Sequence, residues 1–194
     1  MKMKKILIIN GHPNKDSFCA ELAKSYMKGA QSTEAQCTLV NLIDLEINPN
    51  LLYGFQKRME VEPDVLRMQK EIMEADHLVF VYPNWWSTYP AILKGFIDRV
   101  FIPGFAFKSK EDSMIIDGLL TGRTARLIVT MDSPRWYYCL FMKNVGHRSM
   151  KKGVLEFCGI KPVKITSFHM IKSSNDTKRK NWISEIEALG QKQL

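Results

Sequence analysis

Three short stretches of this chain carry side chains suited to holding a flat, phosphate-bearing ring. The first, Gly11-His12-Pro13-Asn14-Lys15-Asp16-Ser17-Phe18, follows the apolar run Ile6 to Ile9. It leads into a helix pattern whose apolar stripe is Phe18, Leu22 and Tyr26. A helix N-terminus offers N–H groups without intrahelical acceptors and the positive end of a dipole, so phosphate is stabilised there. Ser17 adds a hydroxyl and His12 a ring donor, whereas Asp16 could cap the same amides itself. A plain strand-to-helix turn with a capped helix accounts for these residues equally well. The stretch is neither G-x-G-x-x-G nor a G-K-[ST] loop.

The second stretch is Pro83-Asn84-Trp85-Trp86-Ser87-Thr88-Tyr89-Pro90, directly after the strand pattern His77 to Tyr82. Ligands of open α/β sheets bind at such strand ends. In an extended segment neighbouring side chains point to opposite sides. One tryptophan is therefore expected to line a pocket and the other to pack on the protein. Polar neighbours and backbone N–H groups around the pair suit the edge of a flavin. The third stretch, Thr130-Met131-Asp132-Ser133-Pro134-Arg135-Trp136-Tyr137-Tyr138, is expected to close the ring pocket from the other side. Tyr137 or Tyr138 could donate a hydrogen bond to a substrate carbonyl or stabilise charge developing on it. Aromatic packing against a neighbouring subunit is the alternative. His147, in Asn144-Val145-Gly146-His147, is a further candidate, while His77 and His169 sit at strand ends as surface or capping residues. No His/Asp/Glu cluster has metal-ligand spacing, and no G-x-S-x-G elbow occurs.

The elements that must position these loops alternate along the chain. Ile6 to Ile9, Gln36 to Asn41, His77 to Tyr82, Leu127 to Thr130 and Val163 to Phe168 are predicted strands. Predicted helices begin at Asp16 or Ser17 and cover Val65 to Met73, Ile92 to Phe101, Ser149 to Phe157 and Lys178 to Leu189. Leu51 to Arg58 is expected to be irregular or briefly helical. Asn48 to Arg58 and Ser109 to Gly122 are long excursions, expected as site walls or a subunit contact. The pattern predicts a single α/β domain over residues 1–194, a five-stranded parallel sheet with helices on both faces.

Bulk properties narrow the function. The net charge is +8, but the cations are scattered and no nucleic-acid-binding motif accompanies them, so no nucleic-acid partner is expected. The N-terminal apolar run is too short for a signal peptide, and no run is long enough to span a bilayer. Four widely spaced cysteines without a C-x-x-C pair read as reduced and structural. A cytoplasmic protein, not embedded in a membrane, is expected.

The residues GHP with Ser17-Phe18, the run PNWWSTYPAILKGFIDRVFIPGFAF and Phe157-Cys158-Gly159 together resemble the flavodoxin-fold NAD(P)H:quinone oxidoreductases. The likeness covers nearly the whole chain in the same motif order. It implies a non-covalent flavin reduced by NAD(P)H and reoxidised by a quinone, in a homodimer with the active site at the subunit boundary. By position, His12, Ser17, Phe18 and Cys19 would serve the phosphates. Pro83, Asn84, Trp85 and Trp86 would border the ring, and Thr130, Met131 and Asp132 would complete the cradle. Tyr137, Tyr138 and His147 are the catalytic candidates. Cys19 stands where the family often has Asn, and Asp132 and Ser133 replace two glycines of its mammalian members. Ser17 is the only hydroxyl between Gly11 and Phe18, which favours FAD over FMN, because a terminal phosphate would call for more donors. A flavodoxin-like electron carrier and a regulatory flavoprotein subunit of a membrane transporter are the alternative roles.

Overall fold

A computed structural model describes residues 3–54, 56–57, 59–109 and 116–193. Five parallel strands form the central sheet: β1 Lys5–Asn10, β2 Gln36–Asn41, β3 His77–Pro83, β6 Thr124–Met131 and β7 Val163–His169. Their spatial order is β2-β1-β3-β6-β7, so the order reverses between β1 and β3. Every residue of β3 is buried, as a central parallel strand covered on both faces requires. Alternation within the strands splits the core in two. Leu7, Ile9, Leu78 and Phe80 face α2 (Pro63–Glu74) and α3 (Ala91–Val100). Ile6, Ile8, Val79 and Val81 face α1 (Phe18–Gln31) and α6 (Asp176–Gln191).

The helices on the second face approach very closely. A Cβ on Gly29 would lie 2.0 Å from the Glu187 carbonyl oxygen, and one on Gly190 would lie 2.2 Å from that of Tyr26. Only glycine permits such backbone contact. It fixes the roll of α1, and thereby the direction of its N-terminus.

The predicted strands and long helices are all present, with ends displaced by a few residues. Ser149–Glu156, expected as an ordinary helix, winds with wide π-type turns after two short helices, α4 (Arg135–Leu140) and α5 (Val145–Arg148). Sequence periodicity does not separate such turns from α-turns. A two-stranded antiparallel hairpin, β4 (Phe107–Ser109) with β5 (Ile116–Gly118), was not anticipated, because each strand is only three residues long. Of the two excursions, residues 110–115, Phe55 and Arg58 lie outside the described residues. The described residues 48–54 and 56–57 form turns and bends rather than a helix. This excursion is anchored by Arg99, which is 5% exposed. Its guanidinium donates to the Asn48 carbonyl at 2.8 Å, to the Glu60 carbonyl at 3.0 Å and to the Glu62 carboxylate.

Candidate active site

The carboxyl ends of β1, β3 and β6 converge on a cleft of about 250 Å³. His12, Phe18 and Cys19 line one side, Pro83, Asn84 and Trp85 the middle, and Thr130, Met131 and Asp132 the third. It lies at the reversal of strand order, where open α/β sheets place their ligands.

At the first corner Ser17 is the N-cap of α1, its side chain accepting from the Ala20 N–H at 3.3 Å. The N–H groups of Phe18 and Cys19, in the first turn, have no intrahelical acceptor. The His12 Nδ1 accepts from the Asn14 N–H at 2.9 Å. In the neutral ring the proton is therefore on Nε2, free to donate. Partial burial lowers the His12 pKa, which favours that neutral form. Cys19 points inward, its Sγ 3.2 Å from the Thr130 hydroxyl, and burial pushes its thiol up to about 12. It is thus a protonated thiol joining α1 to the end of β6, not a nucleophile.

The tryptophan stretch is not extended. Trp85 and Thr88 exchange both backbone hydrogen bonds at 2.9 Å, and Trp86 and Ser87 between them have φ of 52° and 60°. Two positive φ angles make this a tight hairpin turn of type I′. The expectation that the second tryptophan packs on the protein is therefore corrected. Trp85 lines the cleft against the edge of His12, with ring centroids 5.5 Å apart, while Trp86 is 99% exposed at the turn.

Asn84 is held twice. Its backbone N–H donates to the Thr130 carbonyl at 2.7 Å, and its Oδ1 accepts from the Tyr138 hydroxyl at 3.4 Å. The same hydroxyl accepts from the Gly146 N–H at 3.0 Å. A Cβ on Gly146 would come within 2.8 Å of Asn84, Ser87 and Tyr138 atoms together, so α5 abuts the back of the turn.

None of the three catalytic candidates lines the cleft. Tyr138 is buried behind it, and burial raises its pKa. His147 is buried against the Tyr138 ring at 5.0 Å, its pKa pushed down to about 4 by burial and by His169. Tyr137 is exposed in a cluster with Trp136 and Phe141. In a helix neighbouring residues point in different directions, so Tyr137 and Tyr138 cannot both face one pocket. Conversely, Ile171 and Lys172 line the cleft and were not anticipated. Lys172 donates its backbone N–H to the Asp132 Oδ1 at 2.8 Å, and its Nζ lies 3.3 Å from Oδ2. The same strand-end logic, applied to β7, would have found them.

The donor set fits a flavin: helix N–H groups and a neutral imidazole at one end, an indole and Met131 beside them, and the Asn84 amide between. Among the described residues no His/Cys/Asp/Glu group could hold a metal ion, and no helix is long and apolar enough to cross a membrane.

Comparison with known proteins agrees with this architecture. A family model described as a flavodoxin-like fold matches residues 4–191. An uncharacterized NAD(P)H oxidoreductase of Haemophilus influenzae is 31% identical over 91% of this chain and 89% of its own. Human ribosyldihydronicotinamide dehydrogenase [quinone] is 32% identical over 83% of this chain and 79% of its own. A Streptococcus mutans protein of known crystal structure superposes with a TM-score of 0.84 at 33% identity, covering 97% of this chain and 99% of that one.

Proposed function

Since this chain belongs to the flavodoxin-like family of NAD(P)H:quinone oxidoreductases, we propose that its cleft holds FAD, with the ring against Trp85 and the phosphates at the start of α1. The protein is a flavin-dependent NAD(P)H dehydrogenase acting on quinones. When bound, the flavin accepts a hydride from NAD(P)H and passes two electrons to the quinone. The observation that carries the reading is the convergence of a helix N-terminus and an indole wall on one cleft at the reversal of strand order.

The chain's own residues bind and orient. The Phe18 and Cys19 N–H groups and the His12 Nε2–H face the phosphate corner, where the α1 dipole favours negative charge. Trp85 offers a broad apolar surface to the ring. Asn84 presents its amide to a ring edge, with its orientation fixed by Tyr138. We assign Tyr138 a positioning role and place no catalytic proton on it. Asp132, paired with Lys172, shields the open side of the cleft. FAD is favoured over FMN because Ser17, whose oxygen accepts the Ala20 N–H and whose proton is left to donate, is the one hydroxyl of the first loop. A pyrophosphate carries less charge per phosphorus than a terminal phosphate and needs fewer donors.

The fully exposed Trp86 at the cleft mouth supports a homodimer in which the partner covers the turn. The apolar groove among Leu51, Met59, Val61 and Ile102 supports the same arrangement. Four free cysteines and the use of NAD(P)H support a cytoplasmic location. The absorption spectrum of the purified protein, followed by the mass of the released cofactor, tests the assignment. A flavin spectrum with the mass of FAD is expected. A colourless protein that takes up neither FAD nor FMN would overturn it.

A further inference from the structure

The turn after β7 brings Ile171 and Lys172 to the cleft. It begins at Met170, whose φ of 61° is left-handed. A residue with a Cβ keeps such a backbone only where its surroundings hold it. On the α6 side the turn is held densely. The Ile171 carbonyl accepts from the Ser174 hydroxyl at 2.6 Å, the Ser174 N–H at 3.1 Å and the Arg179 guanidinium at 3.2 Å. The half-buried Ile171 side chain packs against the α1–α6 side of the core. On the cleft side the ties run to the end of β6. The Ile171 N–H donates to the Met131 carbonyl at 3.3 Å. Asp132 Oδ1 accepts from the Lys172 N–H at 2.8 Å, and Oδ2 lies 3.3 Å from Lys172 Nζ. A carboxylate accepting a backbone N–H makes one of the stronger hydrogen bonds. The Lys172 side chain is 89% exposed, and an ion pair so open to water adds little.

We infer that Asp132 is a positioning residue for cofactor retention. Its carboxylate straps the turn after β7 to the end of β6 and so sets Ile171 as the fourth wall of the cleft. This role rests on the flavin reading of the cleft. The Ile171 side chain has no polar atom, so what it offers a bound flavin is contact, and contact needs a fixed distance. Met131 and Asp132 line the same cleft. One strand end thus forms the third wall and fixes the fourth relative to it. Without the carboxylate the turn keeps its bonds to Ser174 and Arg179 on the α6 side, while the β6 side retains only the longer bond to Met131. The third and fourth walls are then free to part. A role for the Lys172 charge would depend on its ammonium. The strap depends on the backbone N–H at that position, which every residue but proline supplies.

The rate at which the loaded protein loses bound flavin after dilution tests the inference. Asp132→Ala should release flavin about tenfold faster, the scale of one hydrogen bond to a charged group. Asp132→Asn keeps an oxygen for the Lys172 N–H and should stay within about threefold of the unaltered protein. Lys172→Met keeps the N–H and should also stay within about threefold. Ile171→Ala should release flavin about as fast as Asp132→Ala. The double variant should be scarcely faster than either alone, because Asp132 acts through Ile171. In protein stripped of cofactor, hydrogen exchange of the amide at position 172 should speed up in Asp132→Ala and not in Asp132→Asn. If the unaltered protein takes up no flavin, the reading of the cleft and this role fall together. If it takes up flavin, three results would overturn the strap alone: unchanged release from Asp132→Ala, fully multiplicative effects in the double variant, or equal acceleration by Lys172→Met and Asp132→Ala.

Discussion

The hydroxyl of Tyr138 donates to the side-chain oxygen of Asn84 across 54 residues of sequence, from behind the cleft rather than within it. The phenol oxygen in turn accepts from the Gly146 N–H, so one phenol sets the position of a cleft-lining amide and of the helix behind it. Tyr138→Phe keeps the ring but strands a buried N–H. A loss of about 1–3 kcal/mol of stability in chemical denaturation is expected. KM for the quinone should rise more than kcat falls, because the amide is misplaced and no proton donor is lost. Unchanged stability together with a selective fall in kcat would instead mark Tyr138 as a proton donor.

The two adjacent tryptophans should behave differently. Trp85 meets His12 in the cleft, whereas Trp86 is wholly exposed at a positive φ. Trp85→Ala should weaken flavin retention by about 1–2 kcal/mol, the scale of an aromatic contact with its buried area. Trp86→Ala should leave retention in the monomer nearly unchanged and act on self-association. Flavin titration with light scattering would separate the two effects, and equal flavin loss in both variants would contradict the geometry. Ser87→Gly relieves a left-handed backbone and should gain roughly 0.5–1 kcal/mol in thermal or chemical denaturation.

Two buried histidines set an acid limit. His77, hydrogen-bonded to the Thr124 hydroxyl at 2.6 Å, is pushed down to about 3 by burial and by nearby Lys4, Arg126 and Lys164. His147 is pushed down to about 4. In the unfolded chain both titrate near the ordinary value of about 6.5. Below that value the unfolded state takes up protons that the folded state refuses. Their contribution is complete above about pH 6.5 and is lost as pH falls toward the folded values, by about 1.4 kcal/mol per pH unit for each histidine. Urea denaturation between about pH 7 and pH 5 should show this slope, and His77→Gln and His147→Gln should each flatten it. A flat wild-type profile in that interval would contradict the burial of neutral rings.

Much of the fold was legible because burial in parallel sheets writes itself into sequence as unbroken apolar runs, as in Leu78 to Val81. The cleft was legible because its walls lie at the ends of those runs. What escaped depended on side-chain direction. Tyr137 and Tyr138 are indistinguishable as letters, but the rotation of about 100° between helical neighbours sends the first outward and the second inward. Trp85 and Trp86 depended on a turn whose positive φ angles neither residue type advertises. Lys172 required knowing that the end of β7 comes alongside Asp132, a contact spanning 40 residues.

The paired glycines between α1 and α6 impose an order of events on biosynthesis. Gly29 and Gly190 are separated by most of the chain, yet each makes room for the backbone of the other's helix. On the ribosome, α1 lacks its closest neighbour until residues 176–191 have emerged. The corner that α1 aims is therefore finished only once α6 has emerged and packed against it. Cofactor capture would then follow the docking of α6 on α1.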